Sequence, residues 1–191
     1  MCFTGNLDAV AGLLEPPSDL SLVQSFINTA DLEAGLDSIG RPAELTSWLR
    51  TQDLLKRGVK LGRADGKRAL ELRAALRDLA GANSGQAVSP RSLAVLDHEA
   101  ARASLGRLFG RQQLPDTWSA VAGRFLLAVV RAQSDGTWNR LKTCSNDACG
   151  WAFYDRSRNR SGQWCAMSIC GSRFKMRAYR GRHASIESGA R

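Results

Sequence analysis

The chain has 191 residues, enough for one or two domains, with 43% hydrophobic and 24% charged residues and a formal net charge of +9. That hydrophobic content excludes a chain disordered over most of its length, and no apolar run approaches the ~20 residues that cross a bilayer. There are only two histidines, and no Ser/His/Asp set, carboxylate pair or glycine-rich phosphate loop stands out, which argues against an enzyme.

The opening segment, MCFTGNLDAVAGLL, has no basic n-region, and Asp8 interrupts its apolar stretch. It does not read as a signal peptide, so a soluble, cytoplasmic chain with no membrane partner is expected. Ser18 or Asp19 can cap a first helix bearing Leu22, Phe26 and Ile27. Asn28 follows these apolar residues directly. It reads either as a buried hydrogen-bonding group or as the lip of a ligand pocket, with Trp48 packed nearby. Pro42 suits the first position of a second helix whose stripe is Leu45, Trp48, Leu49, Gln52 and Leu55. Asp65 can cap a third helix, in which Leu72, Ala75, Leu76 and Leu79 share a face and which Gly81 ends. Ser89-Pro90 opens a fourth helix with Leu93, Leu96, Ala100 and Ala103 on its apolar side; His98 reads as a surface or satisfied core residue. Residues 104–117 are weakly periodic and read as a loop or short strand pair. A fifth helix spans Trp118 to Ala132, and Asp135-Gly136 is a turn that divides two domains.

The C-terminal part has a different character. Its four cysteines, Cys144, Cys149, Cys165 and Cys170, are spaced C-x4-C-x15-C-x4-C. Two symmetric pairs suit a structural Zn2+ held by four thiolates, a closed site with no open position for substrate. Disulfides are the competing reading, disfavoured by the spacing and the expected reducing compartment. The x4 gap is also wrong for a C-x-x-C redox pair. A segment of some 45 residues is too small to fold on its own core, and zinc supplies what it lacks. Arg140 to Thr143 reads as a short strand leading to Cys144. Trp151 to Tyr154 is β-prone and is expected to form a hairpin with Gln163-Trp164, which returns towards Cys165, and a helix is expected from about Ser168 to Arg182. Knuckle, hairpin and a helix carrying the last ligand form a treble-clef-like zinc finger over 140–185. It follows an α-rich domain over 1–135, so the fold class is mainly α with small β elements.

Charge follows the same division. Residues 1–139 carry 16 Lys+Arg against 15 Asp+Glu, and residues 140–191 carry 11 against 3. Even with four thiolates around one zinc, the second part keeps a strong positive excess, which points to a polyanion such as nucleic acid. Arg173, Arg177 and Arg180 fall on one helical stripe, with Lys175 and Arg182 on its flank. Arg156, Arg158 and Arg160 alternate in the preceding turn. These eight side chains are the candidate nucleic-acid contacts. Arg173 reads equally well as packing back on the finger. Trp151, Phe153 and Trp164 read as its small core. His183 could substitute as a ligand, but four cysteines need no histidine.

The stretch from Cys144 to His183 resembles the CGNR zinc finger family. The matching residues are Cys144 and Cys149, the run Trp151-Ala152-Phe153-Tyr154-Asp155, Ser157-Arg158-Asn159, Trp164-Cys165, and Cys170-Gly171-Ser172-Arg173 with Lys175. The signature tetrapeptide reads Cys-Gly-Ser-Arg here, with Ser172 where asparagine is usual. Gly162-Gln163 stands where basic residues are common. The N-terminal part resembles the ABATE domain, through Phe26-Ile27-Asn28-Thr29, Pro42-Ala43-Glu44-Leu45, Trp48-Leu49 and the helix from Leu72. The resemblance implies a bacterial, stress-responsive transcription regulator whose N-terminal domain senses an effector and whose finger binds DNA. Dimerisation is an alternative role for the N-terminal domain. A zinc-stabilised protein-interaction module and an RNA-binding protein are the alternative functions.

Overall fold

The computed structural model describes residues 16–103 and 114–188, with side chains to Arg180. Most of the loop or strand pair expected over 104–117 lies outside the described residues. Helix α1, Ser18–Ile27, buries Leu20, Val23, Phe26 and Ile27, spacings that line one face. A two-stranded hairpin follows, β1 Ala30–Asp31 against β2 Leu36–Asp37. Its tip is set by the Ala34 N–H donating to Asp31 Oδ1 at 2.9 Å and by Gly35 at φ +65°. Strands this short have no periodicity to read. Asp37 receives two hydrogen bonds from Arg73, at 2.7 and 2.6 Å. These hold its carboxyl below the ordinary range.

Helix α2, Pro42–Thr51, starts on proline as expected and buries Leu45 and Leu49, while Gln52 is exposed. Helix α3, Arg63–Ala82, begins at Gly62 rather than at Asp65. Asp65 sits inside the first turn, and its carboxylate accepts the Gly62 N–H at 3.0 Å. Gly81 lies within the last turn rather than beyond it.

Helix α4, Pro90–Arg102, is capped as expected, with Ser89 Oγ accepting the Ser92 N–H at 3.1 Å. Its orientation corrects the expected stripe: Leu93 is 47% exposed and Ala100 is exposed, while Ser92 and Glu99 are buried. The reason is polar. Arg68 donates twice to Glu99, at 2.8 and 2.9 Å, and Ser92 Oγ donates to Asp78 at 2.7 Å. Leu96 still packs on the core, but turning Leu93 inward would strip the Glu99 carboxylate of its partner, a loss of several kcal/mol by the scale of broken buried pairs (about 3–5).

Helix α5, Trp118–Ser134, closes the helical layer. Phe26 is the centre of the core. Its ring stacks on Phe125 with centroids 4.4 Å apart, and lies 6.4 Å from Trp118 and 5.7 Å from Trp48. Burying each such side chain contributes about 1.5–3 kcal/mol.

This core runs past the Asp135-Gly136 turn. Trp138, Leu141 and Ala152 belong to the same apolar cluster as the helices. Leu141 and Ala152 come from a second hairpin, β3 Leu141–Thr143 antiparallel to β4 Ala152–Tyr154, with Leu141 opposite Tyr154 and Thr143 opposite Ala152. Gln163-Trp164, the expected partner of Trp151 to Tyr154, forms no strand; the Gln163 carbonyl instead accepts the Ser145 N–H at 2.9 Å. Side-chain clamps fix it to the helices. The Asn28 amide donates to the Ala152 carbonyl and accepts its N–H, both at 2.8 Å. Asn83 Nδ2 donates to the Trp138 and Leu141 carbonyls, both at 2.8 Å. Arg77 donates to the carbonyls of Ile27 at 2.6 Å and Gly150 at 3.2 Å. Burial, then the nearby Arg73 charge, pushes Arg77 down to about 10, so it stays cationic at neutral pH.

Asn28→Ala is expected to destabilise the fold by about 2–4 kcal/mol. It leaves both polar groups of Ala152, which is fully buried, without their partner, and an orphaned buried group costs about 1–3 kcal/mol. Equal denaturation midpoints for Asn28→Ala and the native chain would rule this out.

Candidate metal centre and basic groove

The first knuckle leaves β3 at Cys144 and turns back at Cys149. The Cys144 N–H donates to the Trp151 carbonyl at 2.9 Å, and the Cys149 N–H to the Asn146 carbonyl at 2.8 Å. Gly150 follows at φ +55°, a left-handed conformation suited to glycine. A Cβ there would also stand 2.6 Å from Leu32 Cδ1. Cys165 and Cys170 are brought round by a wide π-turn, Met167–Gly171, before helix α6, Ser172–Ser188, begins. A helix from about Ser168 was expected, and the widened turn explains the offset.

All four Sγ atoms lie within 4.8 Å of one another. The Cys149–Cys165 and Cys165–Cys170 separations are each 3.7 Å. A tetrahedron of Zn–S bonds of about 2.3 Å has edges of roughly 3.8 Å, which these two separations match, and the four sulfurs are gathered to the size of a zinc site. Cys144, Cys149 and Cys170 are buried and Cys165 half-buried. Trp151, Trp164 and Ile169 pack against the cluster, and Asn146 Nδ2 faces Cys170 Sγ at 3.8 Å. Contact with Cys149 and Cys165 pushes the Cys144 thiol down, and contact with Cys144 pushes Cys149 and Cys165 up. Four sulfurs this close cannot all ionise unless a cation neutralises them. The centre is a structural zinc site of four cysteines.

The basic turn after β4 is fixed from inside. Lys142 and Asp155 form a buried ion pair at 2.8 Å, with side chains 7% and 2% exposed. Lys142 also donates to the Arg160 carbonyl and, at 3.3 Å, to the Gly162 carbonyl. Asp155 accepts the N–H groups of Ser157 at 2.9 Å and Gly162 at 2.8 Å. Gly162 has no room for a Cβ, which would lie 2.7 Å from Asp155 Oδ1. Burial works to raise the Asp155 carboxyl. The bonds from Lys142, Ser157 and Gly162 outweigh it and hold the group at about 2. On this frame Arg158 and Arg160 are exposed and Arg156 is half-buried.

On α6, Arg173, Arg177 and Arg180 line one open groove of about 710 Å³, with Asn146, Ser172 and Met176. Arg177 donates to Asn146 Oδ1 at 3.3 Å. Arg173 pairs with Glu33 at the tip of the first hairpin, an acid that no sequence pattern singles out. Lys175 is exposed. The side chains of Arg182 and His183 lie outside the described residues. Phe174 is 51% exposed and rests on Trp164, centroids 5.0 Å apart.

A second concavity, about 660 Å³, runs along α3 beneath α4. Leu70, Ala74 and Val95 are part of its apolar lining, and Arg63, Lys67, Glu71, Asp78 and Arg91 its charged lining. Neither Asn28 nor Trp48 lines it. Asn28 is bonded to Ala152, and Trp48 is half-buried against Phe26. His98 is exposed. No described helix is long and apolar enough to cross a membrane.

Residues 140–183 match the CGNR zinc finger family. Residues 20–135 match ABATE, whose description is "Putative stress-induced transcription regulator". No curated protein matches the chain. The second match spans more than half of the sequence, and the four clustered cysteines fall within the first. The chain belongs to the ABATE family and carries a C-terminal CGNR zinc finger.

Proposed function

We propose that this chain regulates transcription by binding duplex DNA through the zinc-held finger, with the helical domain sensing an effector. One observation carries the DNA reading: three arginines of one helix line a single groove beside the metal cluster. A guanidinium matches the phosphate geometry and keeps its charge at any physiological pH. Arg158 and Arg160, on their braced turn, would add backbone contacts. For the helical domain, the concavity along α3 is the proposed seat of a small molecule with an apolar body and a charged end.

Changing Arg177 and Arg180 together to alanine is expected to weaken DNA binding at unchanged zinc content. If both touch phosphates, the slope of log K against log salt should fall by about 1.8, at about 0.9 per contact. If one reads a guanine edge, preference at a single base pair should relax by about 1–3 kcal/mol. Gel shifts with duplex DNA and structured RNA at two salt concentrations separate the nucleic acids. A protein-interaction module would show neither effect.

A further inference from the structure

We propose that the tip of the first hairpin is an acidic strap across the basic groove, where Glu33 holds Arg173 in the place a phosphate would take. The proposal rests on the DNA reading above and concerns its regulation. Glu33 is the one acidic side chain among the described residues lining the groove, and it comes from 140 positions away in sequence. The strap grips the finger twice. Glu33 pairs with Arg173, and Leu32 lies over Gly150, directly after a zinc ligand.

The base of the strap is fixed to the helical domain. Asp37 is held by Arg73, and the Ser38 N–H donates to the Thr29 carbonyl at 2.9 Å. The tip reaches the finger instead. The Glu33–Arg173 pair is partly exposed, at 25% and 46%, and exposed pairs of this kind are weak. A DNA backbone, with a charge every ~1.7 Å along its axis, competes well for such an arginine, whereas a buried pair would not yield. Glu33 therefore lowers affinity in two ways: it occupies one cation, and it sets a like charge beside the phosphates. Because β1 follows α1 almost directly, a shift of the hairpin base would draw Glu33 from the groove. That gives the helical domain a handle on the finger without unfolding it.

Glu33→Gln is the test, with zinc content and thermal midpoint measured alongside. Expected is unchanged metal and fold, with duplex DNA bound about three- to tenfold tighter at low salt. The salt slope should steepen by about 0.9, one further phosphate contact. Adding Arg173→Ala to Glu33→Gln should abolish the gain. If Glu33→Gln leaves affinity and slope unchanged, or weakens binding, while the Arg177/Arg180 double substitution still weakens it, the strap is wrong and the DNA reading stands. If the native chain and Glu33→Gln both fail to bind duplex DNA at low salt, the DNA reading falls and the strap with it.

Discussion

Cys165→Ser is expected to remove zinc from a chain that otherwise holds about one ion, and to unfold the finger from the first knuckle through α6. A hydroxyl does not replace a thiolate as a zinc ligand, and structural zinc in finger peptides contributes roughly 10–16 kcal/mol of apparent binding energy at neutral pH. The apolar packing of this part is thin: Trp151, Trp164 and Ile169 lie against the cluster, Phe174 rests on Trp164 and Leu32 lies over Gly150. The loss should also reach the helices. Leu141 and Ala152 are fully buried in the helical core, so disordering the knuckle loosens the hairpin that carries them. The helical circular dichroism should persist, with a lower and broader melting transition. Metal analysis and finger amide resonances are the readouts. Native zinc stoichiometry in the variant, or unchanged resonances after chelation of the native chain, would contradict this account.

Lys142→Met should cost about 3–5 kcal/mol, the usual penalty for leaving one member of a buried pair behind. Asp155 would then keep its buried charge with the donors of Ser157 and Gly162. Substituting both partners, Lys142→Met with Asp155→Leu, should cost less than Lys142→Met alone if the stranded carboxylate is the source of the loss. The acid dependence has a fixed sign. The Asp155 carboxyl is held at about 2 in the folded chain, below its ordinary ~3.9. Its contribution is present above the ordinary value and is lost as pH falls towards 2. In Lys142→Met that acid-sensitive increment should shrink. A double substitution less stable than the single one would show that the Ser157 and Gly162 N–H groups, left without their acceptor, outweigh the stranded charge.

What the sequence disclosed followed from spacing. The cysteine pairs announce their chemistry because a tetrahedral ion needs four thiolates at fixed intervals. Proline and serine mark the starts of α2 and α4 because their local bonds do not depend on the rest of the chain. The rotation of α4 was hidden, since Leu93 and Leu96 make a convincing stripe until Arg68, on another helix, claims Glu99. The first hairpin was hidden by its length. The clamp at Asn28 was half visible: a polar residue after Phe26 and Ile27 signals a buried partner or a pocket. Nothing local says that the partner is the backbone of Ala152. The turn at Asp135-Gly136 reads as a boundary in sequence, whereas the continuity of the core through Trp138, Leu141 and Ala152 depends on contacts made across it.

The Asn28–Ala152 clamp joins positions 124 residues apart, and this has a consequence during synthesis. A ribosome adding about 5–20 residues per second takes roughly 6–25 s to travel from one to the other. Through that interval α1 exists with its amide hydrated and with one edge of its core uncovered. Neighbours in sequence such as α3 and α4 can pack early, whereas α1 must wait for α5, on which Phe26 packs through Phe125 and Trp118. The final packing of the helices waits for β4 to emerge, so the nascent chain shows apolar surface to chaperones until that strand has left the ribosome.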